Sequence, residues 1–188
     1  MQFTKLISLL AAAVVATAEN TVTFVSQDSF DRTVIFTSNP NYAKLPDTVV
    51  PASKNVTVPF PQGWQGNWYA VKKGEPNIPG MLGEVAFNGW NGITYFDVSA
   101  IVNPNDKDNV KQMWPADEEE PVSGCVLFPC NFAYYLPDDV QTRATLDTNL
   151  FCSLGSRDGS TIDRRSFDFD SSPTFPRDFV VGKWSKKN

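Results

Sequence analysis

The sequence predicts an all-β protein, a sandwich of short antiparallel strands. Runs rich in Val, Ile, Thr, Phe and Tyr recur about every ten residues through the first hundred positions, the spacing of sandwiches and barrels. Turn signals stand between them, notably Asn39-Pro40, Gly63, and Asn88-Gly89 with Asn91-Gly92. No stretch shows the apolar periodicity of an amphipathic helix longer than a few turns, and no internal repeat is visible.

The chain has 188 residues and opens on an address. Lys5 supplies a basic start, Leu6 to Ala16 is apolar or small apart from Ser8, and Ala16-Thr17-Ala18 is a small-x-small cleavage site. Residues 1–18 are therefore expected to be a signal peptide, and 19–188 a single secreted, soluble domain. The apolar run is shorter than the ~20 residues of a membrane span, so no membrane insertion is expected. A net charge of −5 gives no footprint for nucleic acid. There is no histidine, which removes Ser-His-Asp and Cys-His sites and histidine metal ligation. Catalysis would rest on carboxylates, and neither a metal nor a cofactor is expected. Asp117-Glu118-Glu119-Glu120 reads as a solvated acidic run.

Taken in order, Thr21–Val25 and Thr33–Thr37 alternate around a polar turn and predict a first hairpin. Thr48–Val50 and Lys54–Val58 are strand-like, and Pro59 and Pro61 are expected to end the second. Gly63–Val71 turns into an aromatic strand, and a Gly/Pro loop follows to Gly80. Residues 103–121 are polar and read as mostly irregular. Phe179-Val180-Val181 is strand-like, and Arg164-Arg165 is a dibasic pair read as ordinary surface. Asn55-Val56-Thr57 is a glycosylation sequon that implies an exposed Asn55.

The stretch from Met81 to Asn103 organises the rest. Leu82–Phe87 and Ile93–Val102 flank the Asn88–Gly92 spacer, and each carries one acid, Glu84 and Asp97. Pairing the two runs brings both acids to one surface; the alternative is two solvated strand residues. Trp64, between Gly63 and Gln65, and Trp90, between Gly89 and Asn91, are candidates for exposed faces that stack on sugars. Trp68 and Tyr69 are assigned to the core. Of the three cysteines, Cys125, Cys130 and Cys152, two should pair and one remain as a buried thiol. The sequence alone leaves the three pairings open.

Leu82-Gly83-Glu84-Val85-Ala86-Phe87 followed by Thr94-Tyr95-Phe96-Asp97-Val98-Ser99 resembles the central segment of thaumatin-like proteins. Thr23–Val25, Thr33–Phe36, Ser53–Val58, Gly66–Tyr69 and the Gly124-Cys125…Cys130 element fall in that family's order. The chain is most similar to the small, cysteine-poor secreted fungal members. The resemblance implies a thaumatin-like β-sandwich with a reduced loop and disulfide region, and a bridge from Cys152 to Cys125 or Cys130. It places Glu84 and Asp97 in an acidic cleft, with Asn103 where the family has a further aspartate. It also implies a non-catalytic monomer, extracellular or wall-associated, that binds a β-glucan-type polysaccharide or meets a host surface protein as effector or elicitor. The alternative is a carboxylate-based endo-β-1,3-glucanase using Glu84 and Asp97.

Overall fold

The computed structural model describes residues 20–118 and 120–156, with two further short strands near the C-terminus. Residues 1–18, Arg164-Arg165 and Glu119 lie outside the described residues. Twelve strand segments and a final short one follow in chain order: β1 (Asn20–Ser26), β2 (Arg32–Ser38), β3 (Thr48–Val50), β4 (Asn55–Phe60), β5 (Gln65–Lys72), β6 (Leu82–Ala86), β7 (Thr94–Ser99), β8 (Val110–Pro115), β9 (Ser123–Gly124), β10 (Arg143–Thr145), β11 (Asn149–Leu154), β12 (Arg177–Val180) and β13 (Lys183–Lys186). One sheet runs β4-β1-β11-β8-β9 and a second runs β10-β7-β6-β5-β2-β3, while β12 and β13 pair with each other. All pairs are antiparallel except β1 with β11, which is parallel. This is a β-sandwich, one of the two architectures that the strand spacing suggests and the one that the family resemblance implies.

Alternation along each strand sends one set of side chains between the sheets. Val22 and Phe24 of β1 meet Val34 and Phe36 of β2, Trp68 of β5, Val85 of β6 and Phe96 and Val98 of β7 in one core. Aromatic rings dominate it. Trp68 sits edge-on to Phe24 with centroids 5.6 Å apart, and Phe60 and Trp64 are 4.9 Å apart. Such edge-to-face contacts add about 0.5–1.5 kcal/mol each beyond the area buried. Gly83, cross-strand from Trp68, makes room for the indole; a Cβ there would lie 2.6 Å from the ring.

Two expectations are corrected here. β1 and β2 do not form a hairpin: β1 pairs with β4 and β11, while β2 pairs with β3 and β5. The link at 27–31 crosses from one sheet to the other, so Phe24 and Phe36 face each other across the core, 6.0 Å apart. Pro59 does not end β4 but pairs with Thr21 inside it, which a proline can do because β4 is an edge strand. Residues 103–121 are mostly irregular, as expected, apart from β8, an inner strand between β11 and β9.

The arch between β1 and β2 is locked by Arg32, which is 1 % exposed. Its guanidinium meets both Asp28 oxygens at 2.6 Å and donates to Asp108 O at 2.9 Å, to Asn109 Oδ1 at 3.3 Å and to Phe30 O at 3.4 Å. Every N–H of the fork thus has an acceptor. Burial alone would push the Asp28 carboxyl up. The Arg32 hydrogen bonds and charge, with the Phe30 N–H, outweigh it and hold the carboxyl below its ordinary value.

The disulfide also differs from the expected one. Cys125 and Cys130 bridge each other, with Cα atoms 6.5 Å apart, and Cys152 is the free, buried thiol. Cys152 lies on β11, whose inner face fills the core beside Trp68, while Cys125 and Cys130 close a loop just beyond β9 at the sheet edge. Burial pushes the Cys152 thiol up to about 12, against a smaller opposing effect from Trp68, so it is inert at neutral pH. Closing so short a loop contributes about 2 kcal/mol in the chain-entropy picture.

Candidate functional site: an acidic depression on the outer sheet face

The outer face of the second sheet carries the site. Trp68, Val85, Phe96 and Val98 point into the core, so the intervening residues of β5, β6 and β7 point away from it. The register runs Thr37, Asn67, Glu84, Asp97 straight across four strands. Glu84 and Asp97 are direct cross-strand partners. The β6–β7 connection that fixes this register is tight: Asn88, Asn91 and Gly92 adopt positive φ of 49°, 56° and 74°. Asn-Gly pairs tolerate that conformation with little strain.

Two loops flank these strands. Segment 73–80 folds beside β5, where the Tyr69 hydroxyl donates to Asn77 Oδ1 at 2.8 Å. Beyond the part of β7 that pairs with β10, the Tyr134 backbone bonds to Val98 and Ala100. The same segment brings Thr142 to the site, where its hydroxyl donates to Asp97 Oδ2 at 3.3 Å and contacts the Tyr134 hydroxyl at 2.8 Å. The sheet face itself bears a shallow depression of about 240 Å³, lined by Asn39, Gln65, Asn67, Glu84, Tyr95 and Asp97 among others, whereas residues of segment 73–80 line a second depression.

Its electrostatics are set by two acids in contact. Burial, then the charge of Glu84, then a hydrogen bond with Glu84 push Asp97 up to about 7, against the Thr142 hydroxyl, which lowers it. Two carboxyls can hydrogen-bond only if a proton lies between them. Asp97 Oδ1 is buried with no hydrogen-bond partner among the described residues. The raised value belongs to the pair rather than to Asp97 alone.

The candidate residues separate accordingly. Glu84 and Asp97 come together as the hairpin reading requires. Trp90 lies at the hairpin tip and is 76 % exposed. It stands outside the depression, though its neighbour Gly89 packs against the Tyr95 ring. Trp64 is corrected: it is 1 % exposed, its indole donates to Ala43 O at 2.9 Å, and its ring lies over Gly66, so it offers no stacking face. Trp68 and Tyr69 are buried. Asn103 is not beside the acids but lines a second depression with Lys72, Asp106 and Asp108. Asn55 is exposed on the edge strand β4. The sequence reading missed Asn67, Tyr95 and Thr142. Tyr95 shares a face with Asp97 two residues on, a signal that period-two alternation carries; Thr142 arrives from a loop that no local pattern announces.

No family model matches the chain. It is 56 % identical over 140 residues to antigenic protein SchS21 of Stachybotrys chartarum, an alignment covering 74 % of this chain and 96 % of that protein. The chain belongs to the family of this fungal antigenic protein. The fold extends to a more distant protein: the crystal structure of the protein elicitor MoHrip2 from Magnaporthe oryzae matches with a TM-score of 0.57 at 15 % identity, over 73 % of this chain and 99 % of that one. Among the described residues, no helix is long and apolar enough to cross a membrane.

Proposed function

We propose that this is a secreted, non-catalytic protein of the thaumatin-like kind that acts at the cell wall or a host surface. Its outer-face depression binds a β-glucan-type polysaccharide, and the protein serves as effector or elicitor. The observation that carries this reading is the depression itself: two acids, three amide side chains and the Tyr95 ring converge on one open sheet face. Amides and carboxylates suit sugar hydroxyls, and an aromatic ring suits a sugar's apolar face. The relative's description as antigenic and the fold neighbour's as an elicitor agree with display outside the cell.

The glucanase alternative finds less support in the same geometry. A retaining pair stands about 5–5.5 Å apart and an inverting pair about 6.5–9.5 Å, leaving room for the scissile bond or a water. Glu84 and Asp97 are instead direct cross-strand partners, close enough for the charge of Glu84 to raise Asp97.

The test is a pull-down of the secreted protein on insoluble β-1,3-glucan, chitin and cellulose, with sugar release measured in the same tubes. Binding to the glucan without release is expected, and Trp90→Ala should weaken it by about 1–2 kcal/mol if the exposed indole stacks on the bound chain. Release that Glu84→Gln abolishes would establish the glucanase instead. Retention on none of the polymers would remove the polysaccharide reading and leave a host protein as partner.

A further inference from the structure

We propose that the depression takes an amine-bearing sugar polymer, with the ammonium of a glucosamine-type unit bridging Glu84 and Asp97. This rests on the polysaccharide-binding reading above and narrows its ligand class.

The acids have no cation of their own. Among the described residues the ion pairs are Asp28–Arg32, Lys72–Asp108 and Lys73–Asp31, and none reaches the depression. The charged and titratable neighbours can be named strand by strand. β5 presents only the neutral amides of Gln65 and Asn67, β6 presents Glu84, and β7 presents Tyr95 with Asp97. The edge segment adds Tyr134, whose hydroxyl is engaged with Thr142. The next strand, β10, carries Arg143, but its Nε donates to Val122 O at 3.0 Å and its guanidinium lies over the Phe132 ring, 5.9 Å away. Among the described residues, therefore, no group neutralises the pair.

Asp97 marks where a cation would seat. It is 9 % exposed, it lines the depression, and its Oδ1 is buried without a protein donor. Its other oxygen receives only the Thr142 hydroxyl. A carboxylate this covered normally accepts several hydrogen bonds. The apparent titration near 7 is the same deficit expressed as proton affinity: the proton fills a place built for a donor. An ammonium brings three donors and a full positive charge to that place. Its entry parts the two carboxyls, turning half-buried Glu84 outward while Asp97 stays anchored by Thr142.

Other cations fit less well. Calcium takes about six to eight oxygens, and two carboxylates with amides on one flat sheet face do not encircle an ion. A lysine side chain would use the acids but leave Asn39, Gln65, Asn67 and the Tyr95 ring idle. A sugar ring uses all of them.

The exchange balances without covalent change. The pair with its one proton plus an ammonium gives two carboxylates bound to the ammonium and one proton released to solvent. At about pH 6 a primary amine remains largely protonated and the pair still holds its proton, so release is close to stoichiometric. The full chain is titrated by calorimetry at that pH, in two buffers of different ionisation enthalpy. Three oligomers of equal length are used: fully deacetylated glucosamine, its N-acetylated counterpart, and β-1,3-glucan. The glucosamine oligomer is expected to bind at least ~10-fold tighter than the N-acetylated one. It should release close to one proton, and Glu84→Gln and Asp97→Asn should each remove both the preference and the release. Equal affinities, absence of proton release, or no binding of the amino sugar would overturn the assignment while leaving glucan binding to stand or fall alone. Glucan failure with amino-sugar binding intact would reject the β-glucan reading and keep this one. Displacement of the amino sugar by an oligolysine peptide that binds as tightly would reassign the site to a protein cation.

Discussion

Asp28 and Asp97 are both largely covered aspartates, yet one faces a guanidinium and the other a second carboxyl. At Asp28 every donor of Arg32 has found an acceptor, and the resulting clamp ties the β1–β2 arch to the 108–109 backbone and side chains. At Asp97 the cross-strand partner is Glu84, and one oxygen lacks a protein donor. The first arrangement is closed, with nothing left to bind. The second keeps an unmet charge at an open surface. Structural ion pairs complete themselves, and a site that must receive something stays incomplete.

The largest expected effect breaks the closed cluster. Arg32→Met strips Asp28 of its partner and should destabilise the fold by about 3–5 kcal/mol, as removal of one member of a buried pair does. Urea unfolding at neutral pH reads it directly. A loss below about 1 kcal/mol would show that the clamp is dispensable.

Next comes the open cluster, where the sign reverses. Asp28 has a folded value below its unfolded one, so its contribution is present above about pH 4 and is lost as pH falls through the folded value. Asp97 is raised from 3.8 to about 7, so the native state holds the extra proton. Stability then falls as pH climbs from about 4 to about 7, and the full penalty applies above that window. Asp97→Asn should therefore stabilise the protein by roughly 2–4 kcal/mol at about pH 8 and have little effect at about pH 4. Parallel urea curves at the two pH values provide the comparison, and a gain independent of pH would contradict the raised value of Asp97.

The smallest effect sharpens the contrast. Thr142→Val deletes the hydroxyl that holds Asp97 down, so the pair's apparent pKa should rise. Carboxyl carbon shifts followed by NMR across the titration would show it. A fall would mean that the Thr142 contact does not favour the charged acid.

Much of this was legible from residues alone. Alternation and β-branching located β1, β2, β5, β6 and β7, because those strands bury one face and wet the other. The two Asn-Gly pairs fixed the β6–β7 register and with it the acid pair. β8 escaped because Lys111 and Gln112 break its apolar pattern. Lys111 is buried there, donating to Lys107 O and Ser156 Oγ with its ammonium over the Phe128 ring. The arch at 27–31 looks like a hairpin linker because length alone does not say whether two strands pair or face each other across a core. Trp64 sits between Gly63 and Gln65 and still closes the core, since Gly66 gives its ring a floor. The disulfide partner depended on where β11 lies, and that is decided by long-range pairing.

That pairing has a consequence for how the chain is made. β1 lies parallel to β11, with Thr21 bonded to Asn149 across 128 positions of sequence. A protein emerging from its N-terminus presents β1 among its first structured segments and its inner neighbour near the last. Until residue 149 is free, β1 can pair only with β4, and its other edge stays open to any passing strand. Contacts this distant are closed late and slowly, because loop entropy must be met before they form. The first sheet is therefore completed only after nearly all of the described sandwich has been synthesised, and the interval before that is when the chain is most exposed to aggregation.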